Sequence, residues 1–107
     1  MSLDVYLEEY RPCRIYSDNI THNLGNMARA AGIYECLWRP DEIGIETAKQ
    51  LIEPLDVGLA RLLANPDKFK KYNSSNGWGT YADFVVFVQD YISACEKNPN
   101  ALVRVSR

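Results

Sequence analysis

The chain has 107 residues, 47% of them hydrophobic, with a formal net charge of −2 and a sequence pI near 5.3. That length suits a single compact domain over 1–107 with a core of its own, and the apolar share argues against disorder. The acidic balance excludes general nucleic-acid affinity, which needs a basic face to displace phosphate counterions.

The basic cluster Lys68, Lys70 and Lys71 reads as a solvated turn. The three cysteines, Cys13, Cys36 and Cys95, are odd in number and widely spaced, which fits neither a disulfide framework nor a metal site. A reduced, cytoplasmic setting is expected. No apolar run reaches the roughly 18 to 20 residues that cross a bilayer, and no basic-then-apolar signal pattern opens the sequence, so no membrane association is expected.

Leu3, Val5 and Leu7 alternate with Asp4, Tyr6 and Glu8, the period-2 pattern of a half-buried strand. Beyond Pro12, Cys13-Arg14-Ile15-Tyr16 reads as a second short extended piece. Ser17, Asp18 and Asn19 are competent N-caps. Behind them Ile20, Leu24, Met27, Ala28 and Ala31 form one helical stripe, stopped at Gly32. Ile33 to Trp38 reads as one further helical turn, ended by Arg39-Pro40 because the residue before a proline avoids the helical region.

The longest helix is predicted from about Glu46 to Ala64, with Pro54 inside it expected to kink or divide it. Asp67 to Gly79 reads as a polar loop. The last helix is predicted to begin at Thr80, with Asp83 three residues on as a variant capping box. Ala101, Val103 and Val105 then alternate as a final strand. The expected fold is α+β: three to four helices packed on a small, mainly antiparallel sheet formed by the N- and C-terminal strands.

Two segments concentrate chemistry, Asn19–Gly25 (NITHNLG) and Asn76–Tyr81 (NGWGTY). His22, Asn26 and Arg29 share a helical face, with Thr21 and Asn23 beside it, and Gly25 lets another backbone or a ligand come close. A neutral imidazole that hydrogen-bonds suits His22 better than a catalytic base, because no nucleophile motif accompanies it. Arg39 could clamp a carboxylate or phosphate, or pair with Asp41 or Glu42. The second segment leads into a helix N-terminus whose free amides suit an anion, with Trp78 and Tyr81 offering faces for stacking. The two segments are expected to line one concave pocket, within a subunit or across a subunit boundary. Thr21, His22, Asn23, Arg39, Asn76, Trp78 and Tyr81 are the candidate ligand-binding residues; no catalytic residue, metal or cofactor is assigned.

The runs NITHNLG, Gly32-Ile33-Tyr34-Glu35, Leu37-Trp38-Arg39-Pro40 and NGWGTY make the chain similar to a family of small uncharacterised bacteriophage- and prophage-encoded proteins. The similarity runs over most of the chain and into the Val103–Arg107 tail. It implies a bacterial host cytoplasm and an accessory, anti-defence type of role, by binding rather than by catalysis. The first functional expectation is non-catalytic binding or sequestration of a small anionic or nucleotide-like host molecule. The alternative is an interaction module that inhibits or modulates a bacterial or phage protein, with tryptophans and tyrosines as anchors. A hydrolase using His22 ranks third, for want of a nucleophile or paired carboxylate in a recognisable motif. Seven tyrosines and two tryptophans exceed what one small core readily hides, so a homodimer is expected.

Overall fold

The alternation at both ends of the chain becomes a three-stranded antiparallel sheet, in a computed structural model that describes residues 2–10, 13–73 and 77–107. Strand β1 (Ser2–Tyr10) is central, flanked by β2 (Cys13–Thr21) and β3 (Leu102–Ser106), in the order β2-β1-β3. Leu3, Val5 and Leu7 are fully buried on one face, as their period-2 spacing requires. On the other face Arg14 lies over the Tyr6 ring at 3.8 Å, and Arg104 pairs with the nearly buried Glu8 at 3.3 Å. The α+β class is therefore as expected.

Strand β2 is longer than its sequence suggests. Its pairing with β1 continues through Val5–Asp18, Leu3–Ile20 and Ser2–Thr21, so the would-be caps Ser17, Asp18 and Asn19 are strand residues. A full ladder of backbone hydrogen bonds outweighs the capping preference of these three side chains. A single 3₁₀ turn, His22–Leu24, follows, and only then α1 (Gly25–Ala31). Gly32 ends α1 at φ +79°, the left-handed C-cap expected of it.

Helix α2 (Tyr34–Trp38) stops at Arg39, and a 3₁₀ turn over Pro40–Ile43 leads toward α3 (Lys49–Ala64). Pro54 sits within α3 without dividing it. The start falls at Lys49 because Glu46 and Thr47 are used elsewhere: the Val103 N–H donates to the Glu46 carbonyl, and Thr47 bridges to Leu102, so the outer edge of β3 is partly covered. The expected polar loop contains a short helix, α4 (Pro66–Lys70), whose proline occupies the first turn, where its missing N–H costs nothing. Phe69 anchors α4 in the core, while Lys68, Lys70 and Lys71 remain exposed.

Helix α5 (Tyr81–Lys97) begins where predicted: the Thr80 hydroxyl accepts from the Asp83 N–H at 3.2 Å, a cap worth about 1 kcal/mol. It packs on both β2 and α3, burying Phe84, Phe87, Val88, Tyr91 and Cys95, and Tyr91 stacks on Tyr16 of β2 at 6.0 Å between centroids. Among the described residues no helix is long and apolar enough to cross a membrane.

Candidate functional site

The two chemistry-bearing segments meet. The side-chain amide of Asn23 donates to the Trp78 carbonyl at 3.1 Å, joining positions 55 apart in sequence. Behind that bond Gly79 adopts φ +97°, and a Cβ there would stand 2.7 Å from the Thr21 methyl. This glycine permits a close approach, but the approach is of protein to protein.

Both segments line one groove, through Asn19, Ile20, Thr21 and Leu24 of the first and Trp78 and Gly79 of the second, but the candidate side chains are not all gathered in it. The Asn19–Gly25 segment also borders a second hollow, of opposite charge, on the far side of the junction of β2 with the 3₁₀ turn. Thr21 and Trp78 belong to the first, a groove of about 720 Å³ running between β2 and α5. Its apolar surface comes from Ile20, Leu24, Phe87 and Val86, and its polar side chains include Asp18, Asp83 and Asp90. No lysine, arginine or histidine lines it among the described residues. On α5 the residues Asp83, Val86, Phe87 and Asp90 fall at i, i+3, i+4 and i+7, one helical face. Burial raises the pKa of the Tyr16 hydroxyl, and Asp18 and Asp90 raise it further, so both carboxylates act on one side chain. Among the described residues no group of three or more His, Cys, Asp or Glu is arranged to hold a metal ion. An acidic wall of this kind repels an anion.

His22 and Arg39 belong to the second hollow, about 380 Å³, with Gly25, Arg29, Tyr34, Trp38 and Arg107. Tyr34 and Trp38, at i and i+4 on α2, stack with centroids 5.1 Å apart and planes 8° from parallel. The Arg29 guanidinium lies 4.0 Å from the centre of the Tyr34 ring and donates to the neutral Asn26 side chain at 3.0 Å. Arg39 pairs with Glu42 at 2.8 Å, as one of its two expected readings had it, and Glu42 followed by Tyr34 holds its pKa above the usual value. Arg107 donates to the Trp38 carbonyl at 3.0 Å and meets Asp41 at 3.4 Å. Arg29 has no carboxylate partner among the described residues.

His22 is half-buried, and its Nδ1 accepts the indole N–H of the buried Trp38 at 2.8 Å. In the neutral ring the proton is then on Nε2, the nitrogen left to meet a ligand.

The remaining candidates are placed differently. The Tyr81 hydroxyl donates to the Leu62 carbonyl at 2.7 Å and so ties α5 to α3. Two amides of the anion seat expected at the start of α5 are occupied within the chain: the Tyr81 N–H donates to Asn73 Oδ1 at 2.7 Å and the Asp83 N–H to Thr80. Asn76 lies outside the described residues. Trp78 is 71% exposed rather than folded onto the core. Sequence reasoning missed Tyr34 and Arg107 on the cationic side and the three aspartates on the acidic side. The i, i+3, i+4, i+7 spacing on α5 was the available signal for Asp83 and Asp90, while Asp18 lies on β2; nothing local marked Arg107, which follows β3.

No family model, no curated protein and no solved structure matches the chain.

Proposed function

We propose that the protein binds a small anionic molecule, of nucleotide or comparable size, in the hollow between α1, α2 and Arg107, without transforming it. The observation that carries this reading is the convergence there of three guanidiniums, Arg29, Arg39 and Arg107, around the Tyr34–Trp38 stack. Arg39 and Arg107 are partly neutralised by Glu42 and Asp41. Arg29 contributes an uncompensated planar charge, already oriented by Tyr34 and suited to two-point contact with a carboxylate or phosphate. The Nε2–H of His22 supplies a further donor. A volume near 380 Å³ falls at the lower end of small-ligand sites. The resemblance read from the NITHNLG and NGWGTY runs would make an anion of a bacterial host cell the first choice of ligand.

Thermal unfolding with inorganic phosphate, nucleoside monophosphates and dicarboxylates tests the reading. An anion at a hundredfold excess over its Kd adds about 2.7 kcal/mol, several degrees in a domain of this size. Arg29→Gln is expected to abolish the shift while leaving the unliganded Tm in place, because Arg29 is exposed. No shift with any of these anions, or a shift that survives Arg29→Gln, would overturn the proposal.

A further inference from the structure

The groove between β2 and α5 has a feature the cationic hollow lacks: one of its walls is an open sheet edge. In the order β2-β1-β3, the nine-residue strand β2 is paired on one side only, to β1, with the register shifting at Ile15. The opposite edge strand, β3, is shielded in part by Glu46 and Thr47. Among the described residues nothing comparable is paired to β2. An edge of this length offers a row of backbone donors and acceptors to a further strand.

The inward-facing residues of that edge, Asp18 and Ile20, look across the groove to Asp83, Phe87 and Asp90 of α5. A strand laid beside β2 would alternate its side chains, sending every second one into this space. Those side chains would meet an apolar floor of Ile20, Leu24 and Phe87, flanked by three carboxylates and no cation. Val86, 54% exposed, and Trp78 form the rim. One edge donor is occupied locally, since the Asn19 N–H is held by the Asp18 carboxylate at 2.8 Å. A docking strand with its own cations would take over that carboxylate.

We propose that this groove takes an extended segment of a partner protein in which lysine or arginine is interleaved with apolar residues, pairing as an added strand on β2. Charge complementarity chooses the occupant: an acidic or neutral segment would leave three carboxylates facing apolar or like-charged atoms. Backbone pairing supplies affinity, and the alternate side chains in the groove supply the preference, as in other cases of strand addition. This gives the interaction-module alternative a surface and a partner chemistry. It is independent of the anion-binding reading, since the two sites share no lining residue, and Arg29→Gln is the control that separates them.

The probe is a fluorescently labelled, end-capped octapeptide alternating lysine with valine or leucine, titrated into the full chain by anisotropy. Three comparison peptides accompany it: one with glutamate for lysine, one N-methylated at alternate amides along either edge, and the unlabelled parent as competitor. Asp83→Asn/Asp90→Asn is the informative variant, because both side chains are exposed and the Thr80 cap uses the backbone of Asp83 rather than its carboxylate.

Binding of the lysine peptide is expected, weakened at least tenfold in Asp83→Asn/Asp90→Asn and unchanged in Arg29→Gln. The glutamate and N-methylated peptides are expected not to bind. Amide resonances of β2 should shift with the parent peptide alone. No binding of the parent peptide at millimolar concentration, or equal binding of its N-methylated form, would overturn strand addition; the latter would mean adsorption to charge only. A dimer in sedimentation that Asp83→Asn/Asp90→Asn dissociates would overturn the partner reading in favour of a second copy of this chain.

Discussion

The indole N–H of Trp38 points at Nδ1 of His22 across 2.8 Å, and this bond holds the start of the 3₁₀ turn to α2. Trp38 is only 3% exposed, so its single donor has no water to fall back on. A residue that reads from sequence as a solvent-facing ligand contact is therefore also the partner of a buried polar group.

His22→Ala is expected to destabilise the fold by about 1–3 kcal/mol, the cost of leaving a buried donor unmade. This reverses the small effect that a residue on a solvated face would have. His22→Asn, whose side-chain oxygen sits near the position of Nδ1, should recover part of the loss. Urea unfolding of the two variants measures the difference; equal stability of His22→Ala and wild type would show the bond to be dispensable.

Gly58 lies inside α3, where alanine ordinarily gains about 1 kcal/mol. Here a Cβ would run into the Cγ2 methyl of Ile33, a side chain that is 1% exposed and has little room to turn. Gly58→Ala is expected to lower stability by roughly 1–3 kcal/mol through overpacking. In an Ile33→Ala background the same substitution should become neutral or stabilising, a change of sign that a double-mutant cycle reads directly.

The Tyr91 hydroxyl is buried and has no hydrogen-bond partner among the described residues. Burial pushes its pKa well above the usual tyrosine value. Removing the oxygen relieves a desolvation cost while keeping the ring that stacks on Tyr16 and meets Phe87. Tyr91→Phe is accordingly expected to raise stability by about 1 kcal/mol. A lower Tm in this variant would indicate a hydroxyl partner that the fold supplies by other means.

Buried thiols give a pH dependence with a definite sign. Burial, with Glu96 adding, pushes Cys95 from 9.0 up to about 12, and burial with Glu35 raises Cys36. Each group favours its neutral form in the folded state, so the stability it contributes is complete below about pH 9. That contribution is lost as pH rises from about 9 toward about 12. Unfolding midpoints between pH 8 and 11 should fall from pH 9 upward, less steeply in Cys95→Ala; a flat profile would contradict the assignment. The half-exposed Cys13 should react with a thiol reagent in the native protein, and Cys36 and Cys95 only after unfolding.

What the sequence determined by itself is local. Alternation at Leu3–Leu7 and Ala101–Val105, the stop at Gly32, the break at Arg39-Pro40 and the Thr80–Asp83 cap each depend on residues a few positions apart, and each stands where the pattern put it. What only the tertiary structure decided is non-local. Ser17, Asp18 and Asn19 could have capped a helix, but backbone partners supplied by residues 4–6 extended the strand through them. Thr21 and His22 are neighbours in sequence, yet they border different hollows, because β2 ends at Thr21 and the chain turns into a 3₁₀ helix at His22. The hollows' charges were completed from a distance, by Asp83 and Asp90 on α5 and by Arg107 after β3. A local pattern marked the segment where chemistry gathers; Asp18, Arg29 and Arg39 lie near it in sequence, but Asp83, Asp90 and Arg107 arrive from more than fifty residues away, and only packing brings them there.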